Sequence, residues 1–362
     1  MQGDSNNNAC KINDSRENKE FKGVSFSGFK KTEVKKQFLN TLSKSEIETS
    51  CYWSAELICA GHYIDVWDTI LLFYGKHVHL GNPKLSVYIE SRINSFKTLM
   101  EKEFVELHLR NNEIMRKLFC EMICLLCYAK QKHSFDEVKI KETDFNVIYL
   151  AEHLKAPHTH YIDSLYLEND PKELYIASNE LAFHISEQGK NIIDSCFWME
   201  WIMEYDNLCK QKKTYLVCEI REFAPTKKTE CVWLIWDIIL RESEKEIHND
   251  LTRKILKSLL ALYGVKYGPS SFKKRKYLLY FAAALLTEYV DYTVELVKEE
   301  HKCAIQEIVK NVNSIYGQIK KNETQPIETK DKDVKQKNWE KTVEKLEKMN
   351  EFENGFVPRT HT

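Results

Sequence analysis

Apolar residues recur along most of the chain at steps of three and four, the period that places side chains on one face of an α-helix. Ile64, Trp67, Leu71, Tyr74 and Val78 form one stripe, and Leu85, Ile89, Ile93, Phe96, Met100 and Phe104 form the next. Others run through Ile114, Leu118, Met122 and Leu125, through Ile193, Phe197, Trp201, Tyr205 and Leu208, and through Ile247, Leu251, Ile255, Leu259 and Leu262. Ile305, Ile308, Val312, Ile315 and Ile319 close the series. Residues 231–240, CVWLIWDIIL, are apolar nearly all round, which predicts a central helix covered on several sides. Only residues 137–140 and 215–220 alternate in the manner of extended chain, and a small hairpin or a bare loop would suit either.

Local signals agree with these stripes. Asp170-Pro171-Lys172-Glu173 offers an N-cap acceptor, a proline for the first helical position and an acid in the first turn. Gly189, Gly264 and Gly268-Pro269 sit where helices stop. The string KHVHLGNP, residues 76–83, holds His77 and His79 one residue apart. On a helix such residues point about 200° apart and cannot share a metal; Gly81 then closes the helix and Pro83 opens another. The pattern predicts an all-α fold of roughly ten packed antiparallel helices with short connections. CFWMEW at 196–201 and CVWLIW at 231–236 echo each other, as in a stacked helical array, but two copies without a fuller consensus point to reuse of core residues.

The ends differ from the middle. Residues 1–30 and 321–362 are polar and charged, so disordered tails are expected on either side of a helical domain at 31–320. A weak subdivision is expected near 130–170, where His, Pro and acidic residues gather. In the second tail, Trp339, Val343, Leu346 and Met349 could line a short helix over 334–350. With 362 residues, 43% of them hydrophobic, the chain can bury a sizeable core. Its 11 Gly are few for a fold of many tight turns or phosphate loops. The 53 Lys+Arg nearly balance 54 Asp+Glu, so nucleic-acid binding would need a local patch. An odd count of 11 Cys, mostly in apolar patterns, and an N-terminus without an apolar signal core point to reduced thiols and a cytoplasmic setting. The densest apolar runs are too short to span a bilayer, so no membrane span is expected.

Two resemblances follow from particular strings. HVHLG resembles the first metal motif of amidohydrolases such as dihydroorotases. That likeness implies a barrel carrying further His ligands, a carboxylated Lys and a late catalytic Asp, and no series of Val/Ile-rich strands is present to hold them. SAELICAGHYIDVWDTILLFYGKHVHLGNPKL, CFWMEWIMEYDNLCKQKK and KKRKYLLYFAAALLTEYVD, spread over most of residues 50–300, resemble an uncharacterised helical protein of large nucleocytoplasmic DNA viruses. This resemblance implies the host cytoplasm or a viral factory and brings no activity or site with it.

Candidate chemistry is sparse. Cys120, Cys124 and Cys127 share a helical face and could hold a metal only if a fourth ligand arrived from elsewhere; without a second close Cys pair they read as core. His158 and His160 repeat the spacing of His77 and His79 in a loop. No nucleophile elbow or phosphate-binding glycine loop occurs, so no catalytic residue, metal or cofactor is assigned. The functional signal is basic: Lys273, Lys274, Arg275 and Lys276 open a helix read as 277–297, with Lys210, Lys212, Lys213, Lys227 and Lys228 as further candidates for an anion or nucleic-acid face. Four cations at the positive end of a helix dipole repel unless an anion answers them. The leading expectation is a non-enzymatic scaffold with a protein partner, then a nucleic-acid-binding factor, and third a metal-dependent hydrolase.

Overall fold

Helical period becomes helix along nearly every stripe. In the computed structural model, which describes residues 10–102, 106–225, 228–268 and 271–324, twelve helices of eight residues or more follow one another among the described residues. They are α1 (Lys31–Ser43), α2 (Ile47–Cys59), α3 (Tyr63–Phe73), α4 (Leu85–Lys102), α5 (Glu113–Tyr128) and α6 (Tyr175–Ile185). Then come α7 (Ile192–Gln211), α8 (Val232–Ser243), α9 (Asp250–Gly264), α10 (Ser271–Thr287), α11 (Glu299–Lys310) and α12 (Asn313–Lys320). Asparagine caps three of them: the side chains of Asn112, Asn191 and Asn249 accept from backbone N–H groups in the first turns of α5, α7 and α9. Among the described residues no strand forms, only an isolated bridge between Val24 and Lys30, and no helix is long and apolar enough to cross a membrane. Residues 137–140 and 215–220 are accordingly loop.

Helix α10 is the hub. Every residue from Arg275 to Leu286 is buried, and α3, α6, α7, α8 and α9 all touch it. A helix surrounded on all sides must be apolar all round, and residues 277–286, YLLYFAAALL, are. Ala282, Ala283 and Ala284 present only methyl groups there. Helix α8, expected to be central, is buried along most of its length and packs on α6, α9 and α10. The helix expected over 277–297 starts earlier, at Ser271, and stops at Thr287. The basic residues therefore lie inside its first turns rather than ahead of it.

Three expectations shift for local reasons. The boundary expected at residue 30 moves towards the N-terminus. Phe21 and Phe26 are fully buried and stacked with ring centroids 5.9 Å apart, and buried Glu56 accepts from Ser25 Oγ at 2.8 Å, Ser27 N at 2.9 Å and Ser27 Oγ at 2.5 Å. His62 Nε2 lies 2.9 Å and 2.8 Å from the carbonyls of Phe21 and Val24. A few buried aromatic rings and one carboxylate thus order a stretch of mostly polar composition. Residues 1–9 and 325–362, including the helix expected over 334–350, lie outside the described residues. Asp170 does not act as a helix cap: its buried carboxylate takes both Arg221 Nη1 and Nη2 at 2.6 Å, while a 3-10 turn, Lys172–Leu174, leads into α6. The stripe 305–319 breaks at residues 311–312 into α11 and α12.

The described residues divide into a large unit, 10–12 with 17–322, and a small one, 13–16 with 323–324. No division falls at 130–170, the longest run without a long helix. In the small unit Asn13 N donates to Glu323 Oε1 at 2.6 Å and Thr324 N to Asp14 Oδ2 at 2.8 Å.

The turn after α3 shows what KHVHLGNP does. The backbone passes through a π turn, Tyr74–Val78, and a 3-10 turn, His79–Gly81. The chain after α5 crosses it closely, with Lys132 N donating to His77 O at 2.9 Å and Phe135 N to Lys76 O at 3.1 Å. A Cβ on Gly81 would fall well inside contact distance of the Lys130 carbonyl oxygen. Gly81 is thus needed for the crossing, whereas the turn itself is closed by His79, whose φ is +29°, and not by Gly81 as expected. Gly81→Ala is expected to cost about 3 kcal/mol or more in urea unfolding. A change under about 0.5 kcal/mol would show that the two segments separate freely.

Candidate interaction surface

The basic residues do not gather into an outward face. Arg275 is 3% exposed. Its Nη1 donates to the Tyr263 carbonyl at 2.7 Å and also to that of Val265, both at the end of α9, and its Nη2 donates to Asp68 Oδ1 of α3 at 3.1 Å. Lys274 Nζ reaches the other oxygen of Asp68 at 3.0 Å. Lys276 turns inward between Glu137 at 3.1 Å and Glu200 of α7 at 3.5 Å. Burial alone would lower the Lys276 ammonium, but Glu200 and Glu137 hold it above its usual value. Burial pushes the Glu200 carboxyl up, against Tyr280, whose hydroxyl donates to it at 2.6 Å, and against Lys276.

The anions demanded by Lys274, Arg275 and Lys276 are thus supplied from within the chain, while Lys273 faces outward. Arg275 and Lys276 are withdrawn from the expected nucleic-acid footprint, because a charge that left these pockets would strand its buried partner. Lys210 pairs with Asp206 one turn back in α7. Lys228 lies 3.9 Å from Glu230 and over the Tyr267 ring. Lys212, Lys213 and Lys273 are exposed, and Lys227 lies outside the described residues.

Residues 142–156 turn several apolar side chains outward. A 3-10 turn, Glu142–Phe145, leads into a one-turn helix, Val147–Leu150, and a second 3-10 turn, Ala151–His153. Val147 is 78% exposed, Ile148 77%, Tyr149 52% and Leu154 42%. The inner side of the same segment is fastened to α7. Trp201 Nε1 donates to the Asp144 carbonyl at 2.9 Å, Phe145 packs on Trp201 and Tyr205, and the His153 ring stacks on Phe197 at 4.0 Å. At its end, Lys155 N and Ala156 N donate to the buried carboxylate of Glu180 on α6 at 2.9 Å and 3.1 Å. The turns carry their own caps as well, with Lys141 N on Asp144 and Ile148 N on Asn146. Fastened beneath and bare above, the segment is an apolar ridge.

The ridge explains the stripe Ile193, Phe197, Trp201, Tyr205 and Leu208. The face of α7 buried in the core is a different one, led by Trp198, Met199, Ile202 and Met203. Phe197, Trp201 and Tyr205 of that stripe are the floor on which the ridge rests, and Ile193, one turn before Phe197, is left 76% exposed. Sequence reading missed the ridge because FNVIYL is too short for periodicity to act on. The usable signal was on α6, where Ser178, Asn179, Glu180 and His184 are buried polar residues on an otherwise apolar helix. Such groups require partners, and Asn179 finds them in Tyr161 N and the His158 carbonyl, both at 2.9 Å. His184 lies between Glu180 at 3.5 Å and Asp194 at 3.8 Å. Asn179 and Glu180 are the seats of the 155–161 segment.

The remaining candidates go to packing. His79 is buried, stacks on Phe135 at 4.3 Å and points Nε2 at the His133 carbonyl at 2.7 Å. Burial pushes it down to about 4, so it is a neutral imidazole. His77 instead packs against Phe73. His160 pairs with Asp163, and His158 stacks on Tyr161. Cys120, Cys124 and Cys127 are buried on α5. Among the described residues no group of three or more His, Cys, Asp or Glu side chains is arranged to hold a metal ion.

Arg275→Met is expected to destabilise the protein by about 3–5 kcal/mol in urea unfolding, because it leaves Asp68 only the half-exposed Lys274 as counter-charge and takes the buried donor from the Tyr263 and Val265 carbonyls. Lys273→Ser, on the exposed side, should change stability by less than about 0.5 kcal/mol. Equal, small effects would return Arg275 to the surface. Comparison with protein-family models, with curated proteins and with solved structures returned no match for this chain.

Proposed function

We propose that this protein is a non-enzymatic helical scaffold that binds a protein partner through the ridge formed by Val147, Ile148, Tyr149 and Leu154. The observation that carries the reading is the pairing of a fastened inner side with a bare apolar outer side on residues 142–156. A loosely held loop could fold its apolar side chains inward, whereas this one is held with them outward. Covering such side chains is worth on the order of 1.5–3 kcal/mol each, and contiguous exposed apolar groups mark interaction sites. Exposed Lys141, Glu142, Glu152 and Lys155 supply charges of both signs around the ridge, the polar rim that interfaces commonly have. The cytoplasm, and a viral factory in line with the resemblance to helical viral proteins, belong to the same proposal.

A nucleic-acid-binding role is the weaker reading. It rests on exposed lysines of α7 and α10 once Arg275 and Lys276 are turned inward. The test is recovery of partners from the native cell by the tagged full-length chain, followed by direct binding with the purified partner. Val147→Ser, Ile148→Ser and Tyr149→Ser together should lower partner binding by about ten-fold or more, with the melting temperature unchanged. Undiminished binding by the triple variant would remove the ridge as the surface. Recovery of nucleic acid alone, lost as salt rises, would overturn the scaffold reading.

A further inference from the structure

Five of the eleven cysteines lie on α2 and α5, and all five are buried. The two helices pack against each other, and at their contact Cys51 of α2 and Cys120 of α5 place Sγ atoms 3.8 Å apart, across 69 residues of sequence. Cys124 follows one turn after Cys120 on the same helix. Thiols at this separation are in van der Waals contact, and a disulfide bond of ~2.05 Å requires the sulfurs to close by about 1.8 Å. Closure of that size is within reach of rotation about the two Cα–Cβ bonds.

We infer that Cys51 and Cys120 form a reversible disulfide latch between α2 and α5, with hydrogen peroxide as the oxidant. Peroxide is small enough to reach a buried thiol that an enzyme or glutathione cannot touch. One cysteine gives up its proton and its sulfur attacks a peroxide oxygen. The S–O bond forms, the O–O bond breaks, and the hydroxide released takes a proton to become water. The second sulfur then displaces the hydroxyl of this sulfenic acid: the S–S bond forms, the S–O bond breaks, and a second water leaves with the second thiol's proton. Two thiols are oxidised by two electrons and one peroxide is reduced to two waters. A thiol donor reverses the step when local opening of the two helices exposes a sulfur to attack. Both thiols are buried, so the latch closes slowly, under sustained oxidant. Exposed Cys303 is the internal control, because it meets peroxide first.

The test uses the full-length reduced protein, titrated with hydrogen peroxide while folded. It is then alkylated in denaturant and mapped by mass spectrometry without reduction. A Cys51–Cys120 linked peptide is expected, abolished by dithiothreitol. The oxidised protein should melt roughly 5 °C or more above the reduced form, because the cross-link closes a long loop. Cys51→Ser should show neither the linked peptide nor the rise. The peptide map of the unaltered chain decides the matter if that variant does not fold. The latch is refuted if Cys303 is oxidised while Cys51 and Cys120 are both recovered alkylated, or if the linked peptide appears only when the protein is oxidised unfolded.

Discussion

Burial of the Arg275 guanidinium against Asp68 is the constraint around which the rest of the fold is arranged. Helix α10 touches five other helices, and it can do so only if its first turns enter the core together with their charge. An unpaired cation there would cost several kcal/mol. Asp68 of α3 supplies the counter-charge, and the last carbonyls of α9 supply acceptors that a helix end leaves without intrahelical partners. One side chain therefore closes α9, positions α10 and ties both to α3. Lys276 and Glu200 repeat the device toward α7.

Arginine serves as a joint elsewhere too. Arg221 takes both oxygens of Asp170 and one of Asp237, which fixes the loop between α7 and α8 against the segment before α6. Arg116 donates to the carbonyls of Arg110 and Cys10 and to Asn313, and it lies 3.9 Å over the Tyr316 ring, so the start of the described chain and α12 meet at α5. A planar group with five donors suits such junctions, where several carbonyls and carboxylates converge from irregular segments. Arg275, Arg221 and Arg116 thus keep their charge inside the fold. The segment 147–154, by contrast, holds Val147, Ile148, Tyr149 and Leu154 outward.

Periodicity made the helices legible because a buried stripe of three or more turns repeats its signal. It located α3, α4, α5, α9 and α8 directly. It misjudged α7 in an instructive way: Ile193, Phe197 and Trp201 do form a stripe, but the stripe faces a short irregular segment, and no spacing rule states what covers a face. It also could not place the partners of charge. Lys273, Lys274, Arg275 and Lys276 called for anions, and that demand was readable; that Asp68 and Glu200 would meet it for the last three, from more than seventy positions away, depends on tertiary packing. The order in residues 10–30 was hidden for a similar reason, since Phe21, Phe26 and the acceptor Glu56 act through long-range contact rather than local pattern.

The inward orientation of the α10 cations is tested most directly by a double-mutant cycle on Asp68→Asn and Arg275→Met, read by urea unfolding of the full-length protein. A coupling of about 2 kcal/mol or more is expected from a buried charged pair in contact. Additive effects, within about 0.3 kcal/mol, would contradict it and return the basic cluster to the surface as a binding face.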